Sequence, residues 1–255
     1  MTYFITEFKR AVFSKNTVIA FCLILSSLVI GMVSSWTSIQ AFKGISFFLY
    51  SFSLSQGAIL PVIILMIVAL PFSNAYLQDK ENNMIYGMLT RTTLKRYYLT
   101  KFLVNSLVST LVVILPLALF LTANEVLFPV EQGSYFGEIG GAWSVVFKKS
   151  PLLYSVITII NSGFFAAIYA NLGLVSTFFI RHKLVSIVMP FMIYILPSFV
   201  FPFVGLDQFE PVTTFDLTAN TSATAVLVYS QMVVFFLVIA VLGYVRLKKE
   251  VITYD

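Results

Sequence analysis

Residues 152–180 read LLYSVITIINSGFFAAIYANLGLVSTFFI, 29 positions without one Asp, Glu, Lys, Arg or His. A helix needs about 20 consecutive, mainly apolar residues to cross the ~30 Å hydrocarbon core of a bilayer. At about 1.5 Å per residue this run would reach about 43 Å, so it is expected to tilt strongly or to project from the membrane. Working outward, five more apolar runs of spanning length fall at about 17–36, 55–77, 102–123, 184–204 and 224–245. None alternates apolar with polar as the short strands of an outer-membrane barrel do. The expected fold class is therefore an all-α membrane protein: six transmembrane helices in one transmembrane domain covering 1–255. Prolines at 61, 71, 116, 190, 197 and 202 fall inside the runs and predict kinked helices.

Composition agrees. The chain is 59% apolar and 11% charged, with 26 phenylalanines and a mean hydropathy of +0.93. That much apolar surface does not pack into one soluble domain. The net charge of +5 does not indicate nucleic acid, because the bases flank apolar runs and form no stripe interleaved with aromatics. Cys22 stands alone inside an apolar run, so neither a disulfide nor a cysteine metal cluster is expected. The segment MTYFITEFKRAVFSKN lacks the apolar core and small-residue cleavage site of a signal peptide and is expected to be retained.

The bases report orientation. Three lie in the N-terminal segment, five in 79–101, two at Arg181 and Lys183, and three in the C-terminal tail, making 13 of 16 on one side. Lys43, Lys148 and Lys149 fall on the other. Both termini and the 79–101 block are expected to be cytoplasmic in a plasma-membrane protein, with 124–151 and 205–223 facing outward. Those outward segments hold six Asp or Glu residues and several aromatics, suited to an outer gate or to plain surface decoration.

The six runs contain no Asp, Glu, Lys, Arg or His. Ion-coupled carriers usually hold such groups at membrane depth, so secondary transport is disfavoured. Intramembrane proteolysis and metal catalysis need Asp pairs, Ser with His, or clustered His and Glu, whereas the one histidine, His182, sits in a connection and reads as a solvated loop residue. A channel would need a carbonyl filter or a charged ring, and neither is visible.

The polar block Asp79–Lys101, DKENNMIYGMLTRTTLKRYYLTK, puts seven charges into 23 residues of this apolar chain. Met84, Ile85, Met88 and Leu89 form an apolar stripe on a short helix that Asn82 or Asn83 can cap, and Gly87 permits close approach by a neighbour. Thr92 or Thr93 can cap a second helix through Lys95, Arg96, Tyr97 and Tyr98 into the third run. The block is either an interfacial hairpin that fixes topology or a docking element for a cytoplasmic partner. At the N-terminus, Phe4, Ile5, Phe8, Val12 and Phe13, with Glu7, Lys9, Arg10 and Lys15 between them, predict an amphipathic interface helix over 1–16.

This architecture resembles the membrane subunit of exporter-type ABC transporters, the type-2 permease family. The likeness covers essentially the whole chain: an interface helix, six spans, termini inside, and a charged helix after the second span. Its most specific residues are Asp79, Glu81, Gly87, Leu89, Arg91 and Lys101, although Gly87-Met88 and Thr92-Thr93 stand where many members have Gly-Thr, an acid and a Ser-Pro turn. The resemblance implies that Glu81, Met84, Ile85, Gly87, Met88, Leu89 and Arg91 belong to a coupling helix seated in an ATPase. It implies two cytoplasmic ABC ATPase subunits and a second permease subunit, same or homologous, as partners. This subunit would lack enzymatic activity and bind no cofactor, ATP and magnesium being held by the ATPase. The absence of a GxxxxGK[S/T] loop fits that division of labour.

Within the fourth run, Ser162, Ala166 and Ala170 recur beside Gly163 and Ala167, a face suited to helix packing within the subunit or to a dimer seam. Asn105, Asn161, Asn171 and Gln231 are candidates for a substrate path or for bonds between helices. A cavity without charges suits a peptide or other amphipathic compound, including a toxin exported for immunity, better than a small ionic solute. A noncatalytic membrane sensor or scaffold is the alternative with the same spans.

Overall fold

The computed structural model describes residues 2–39, 42–54, 58–129, 139–219 and 222–252. Residues 130–138 of the first outward segment, 220–221 of the second, and 55–57 at the start of the second run lie outside the described residues. The described residues form helices and turns without a strand. In chain order the helices are α1 (Thr2–Val12), α2 (Lys15–Ser34), α3 (Gly44–Leu49), α4 (Leu60–Ala69), α5 (Ala75–Glu81), α6 (Met84–Leu89), α7 (Leu94–Leu127), α8 (Ser144–Lys149), α9 (Pro151–Phe179), α10 (Val185–Phe203), α11 (Val212–Phe215) and α12 (Ala225–Ile252).

Five of these, α2, α7, α9, α10 and α12, are long and apolar enough to cross a membrane. The chain is thus an all-helical, multi-pass membrane protein. The second run departs from expectation. Instead of one helix over 55–77, its described part is split into α4 and α5 by a turn at 70–74. Pro71 explains the break, since it has no N–H to give to the Ile67 carbonyl. The Leu70 N–H takes that carbonyl in a tighter turn. At 10 residues, or about 15 Å, α4 covers half a bilayer. Pro116, Pro190, Pro197 and Pro202, by contrast, lie inside α7 and α10, which run on through them.

A segment not anticipated from the sequence, α3 followed by a wide helical turn at Tyr50–Leu54, packs its phenylalanines into the core. Phe48 meets Phe52 and Phe120, and Phe52 meets Phe215. This segment approaches α2 so closely that a Cβ at Gly31 would collide with the Ser51 carbonyl.

The centre of the bundle is α9, packed by α4, α7, α10 and α12. Its small face is buried within the chain: Ser162, Gly163, Ala166, Ala167 and Ala170. Gly163 admits Ile114 and Thr110 of α7, and Gly173 admits the Ser186 backbone of α10. Small residues allow such close approach, which is what associates helices where water supplies no drive. The outward faces carry large apolar residues, among them Leu103, Leu107 and Leu111 of α7 and Val233, Leu237 and Val241 of α12.

Candidate functional site: an ion-pair hub beneath an exposed helix

The charged segments meet at one end of the bundle. α5 carries three consecutive charges, Asp79, Lys80 and Glu81, and each reaches a different part of the chain. Asp79, fully buried, accepts from Arg10 Nη1 of α1 at 2.8 Å and from Tyr97 OH of α7 at 2.9 Å. Lys101 Nζ of α7 lies 2.6 Å from Asp79 Oδ2 and 2.7 Å from Glu7 Oε2 of α1. Lys101 is 1% exposed and sits over the rings of Phe72 and Tyr97.

Two acids, Glu7 and Asp79, thus face two bases, Arg10 and Lys101. The cluster is formally neutral, which is how charges are tolerated away from water. Burial works against the charged Arg10 guanidinium, but the hydrogen bond and charge of Asp79, helped by Glu7, outweigh it and raise its pKa. Tyr3, on the same helix, is pushed up first by burial and then by Glu7 and Asp79, so it keeps its proton.

The other two charges of α5 point elsewhere. Lys80 pairs with Glu250 near the end of α12, which also takes Arg181 at 3.0 Å and Tyr76 OH at 2.7 Å. Glu81 pairs with Lys183 at 2.7 Å on the surface. Through three adjacent residues, α5 is joined to α1, α7, α12 and the α9–α10 connection.

On this hub stands α6. Asn83 occupies its N-cap position with φ 54°, a left-handed conformation that Asn tolerates, but makes no capping hydrogen bond with its side chain. The apolar stripe Met84, Ile85, Met88, Leu89 is divided. Ile85 is buried, Met88 and Leu89 pack part-buried against the core, and Tyr3 OH lies 3.7 Å from Met88 Sδ. Met84, Tyr86, Gly87 and Arg91 are exposed, and nothing stands within 4 Å of the position a Gly87 Cβ would take. Thr93 caps α7 by accepting from the Arg96 N–H, so the basic segment is continuous with that long helix.

α1 is turned in an unexpected sense. Its buried residues are Glu7 and Ala11, while Phe4, Phe8 and Val12 are half-buried and Ile5, Lys9 and Phe13 are exposed. Glu7, Asp79, Lys101 and Tyr97, which build the hub, had no assigned role as a group in the sequence. The available signal was scarcity: Glu7 is the one acid before Asp79.

One helical turn deeper lies a neutral network. Asn105 Nδ2 donates to Asn171 Oδ1 at 3.1 Å, Asn171 Nδ2 to Ser106 Oγ at 2.6 Å, and Ser73 Oγ to the Ala170 carbonyl at 2.8 Å. Asn161 Nδ2 donates to the Thr214 carbonyl at 2.8 Å. These three asparagines are buried and bonded between elements. Gln231 Nε2 likewise donates to the Phe209 carbonyl at 2.8 Å, but Gln231 also lines a cavity of about 460 Å³ between α9, α10 and α12, with Tyr169, Ile193, Pro197 and Thr214. His182 is exposed and its Nδ1 accepts from the Leu184 N–H.

Among the described residues no group of three His, Cys, Asp or Glu side chains is placed to hold a metal. No family model matches the chain, and no curated protein matches it.

Proposed function

We propose that this chain is the membrane subunit of an ATP-driven exporter of the type-2 permease kind, working as a pair of permease subunits with two cytoplasmic ATPase subunits. The observation that carries the reading is the placement of α6, an exposed helix standing on a short element whose three charges grip four others. A push on such a helix reaches α1, α7 and α12 through ion pairs rather than being lost in a loose loop. In this reading the charged end is cytoplasmic, as the excess of bases there supports. α4 and α5 together act as a broken second span. ATP and magnesium belong to the partner.

The surface offered to an ATPase is the exposed side of α6, namely Met84, Tyr86, Gly87 and Arg91, with Glu81 at its foot. Ile85, Met88 and Leu89 seat the helix on its own subunit. The cavity lined by Gln231 supports an amphipathic cargo such as a peptide, since its walls are mainly apolar. The buried Asp79–Lys101 pair also favours a second reading, a proton-coupled carrier.

Copurification with the ATPase, followed by substrate-stimulated hydrolysis, tests the first reading. Met84→Asp with Tyr86→Asp should lower recovery of the ATPase about tenfold or more, the scale of losing contacts at an interface centre, while the protein remains monodisperse. Wild-type recovery and stimulation in that variant would remove the docking role of α6. Uptake driven by a pH gradient in liposomes holding this chain alone would establish the carrier instead.

A further inference from the structure

A second cavity, of about 570 Å³, runs along the outward faces of α7, α9 and α12. Its walls include Leu103, Leu107, Ile114, Phe164, Val233 and Phe236, with Phe4 of α1 at one end. Three hydroxyls lie in the wall, those of Ser106, Thr110 and Tyr229, and the first two are already committed. Thr110 Oγ1 donates to the Gly163 carbonyl, and Ser106 Oγ donates to the Phe102 carbonyl while accepting from Asn171. The groove therefore offers an occupant dispersion contacts and almost no hydrogen bonds, which suits a hydrocarbon chain rather than a hydroxylated or ionic molecule.

Its length is also informative. From Leu103 to Ile114 the wall rises about 16 Å at 1.5 Å per residue, the depth of one leaflet of a bilayer. The neighbouring surface is exposed and apolar on all three helices, so the groove opens sideways where lipid lies. Arg96 lies about 10 Å beyond the Leu103 end of the groove along α7. At 100° per residue, Arg96, Leu103, Leu107 and Ile114 fall within about 20° of one line along α7. Arg96 and its neighbour Lys95 are exposed, with no ion-pair partner among the described residues.

The geometry points to a binding site for one phospholipid of the leaflet at the charged end, an acyl chain lying in the groove and an anionic headgroup meeting Arg96 and Lys95. The site does not depend on the exporter reading, only on insertion in a bilayer. An acyl chain packed there would hold α12 against α7 and α9 beside α1.

The test is native mass spectrometry of delipidated protein given phosphatidylglycerol or phosphatidylcholine with identical chains. One phosphatidylglycerol per chain should be retained in preference. Arg96→Gln should reduce that retention about fivefold, equivalent to about 1 kcal/mol for a base at an anionic surface. Leu107→Trp, at a half-exposed position on the groove wall, should abolish retention of both lipids at the site. A photoactivatable group at the chain terminus should mark peptides containing 103–114 and 229–237.

Retention unchanged by Leu107→Trp, or marks scattered over all the exposed helix faces, would mean ordinary solvating lipid and overturn the site. A shift of that variant from dimer to monomer, with lipid retention unchanged, would make the groove a seam between copies and overturn it equally.

Discussion

The charged end of the bundle and its interior along α9 hold helices together by opposite means. At the charged end, Glu7, Asp79, Glu81 and Glu250 each pair with a base from another element, which ties the short helices α1 and α5 to the long α7 and α12. Along α9 the joints are small residues and neutral amides, with Gly163 and Gly173 admitting neighbouring helices and Asn171 linking two side chains of α7. Ion pairs act at several ångströms and accept some change of angle, whereas close packing forfeits its energy over fractions of an ångström. The close-packed joints of the interior therefore resist displacement more sharply than the ion pairs of the charged end.

The largest effect should come from unbalancing the buried charges. Asp79→Ala leaves Glu7 as the one acid of the cluster facing both Lys101 and Arg10 and should cost about 3–5 kcal/mol. Thermal unfolding in detergent should show this, and limited proteolysis should find α1 released. Adding Lys101→Met should recover part of the loss, as expected for coupled neighbours. If Asp79→Ala unfolds like wild type, the charged end is held by packing too and the contrast fails.

A smaller effect is expected at the interior joint. In Gly173→Ala the new methyl meets the Ser186 backbone of α10, and overpacking of this kind costs about 1–3 kcal/mol. The same unfolding measurement should leave α1 protected from protease. Release of α1 in this variant would show that the two regions melt as one.

The smallest belongs to the surface pair. Glu81→Gln, whose partner Lys183 is about as exposed as it is, should shift stability by about 0–1 kcal/mol and lose even that at high salt. A cost equal to that of Asp79→Ala would mean that depth does not govern these pairs.

How much of this was legible can be judged from particular residues. The run 152–180 and α9 differ by one residue at each end, because a charge-free stretch bounded by the Ser150 cap and the Arg181 corner admits little else. Ser14 and Thr93 cap α2 and α7 in the same local way. The stripe on α6 was also readable as a helix face. Which side it turned was not, since that depends on Tyr3 and the core being close by. Nor did residue type separate Asn105 and Asn171, which bond to one another, from Gln231, which lines a cavity.

The sequence by itself determined the helical class, the membrane as solvent, and the gathering of bases at one end, because each follows from sums over local residues: apolar length, rise per residue and the cost of charge in hydrocarbon. Only the tertiary structure decided that Pro71 divides the second run into two helices with the hub at their end. Only it decided that Glu7, Asp79, Arg10 and Lys101 form one neutral cluster. Those residues are separated by up to 94 positions, and a long-range ion pair is specified by where helices cross, which no local pattern records.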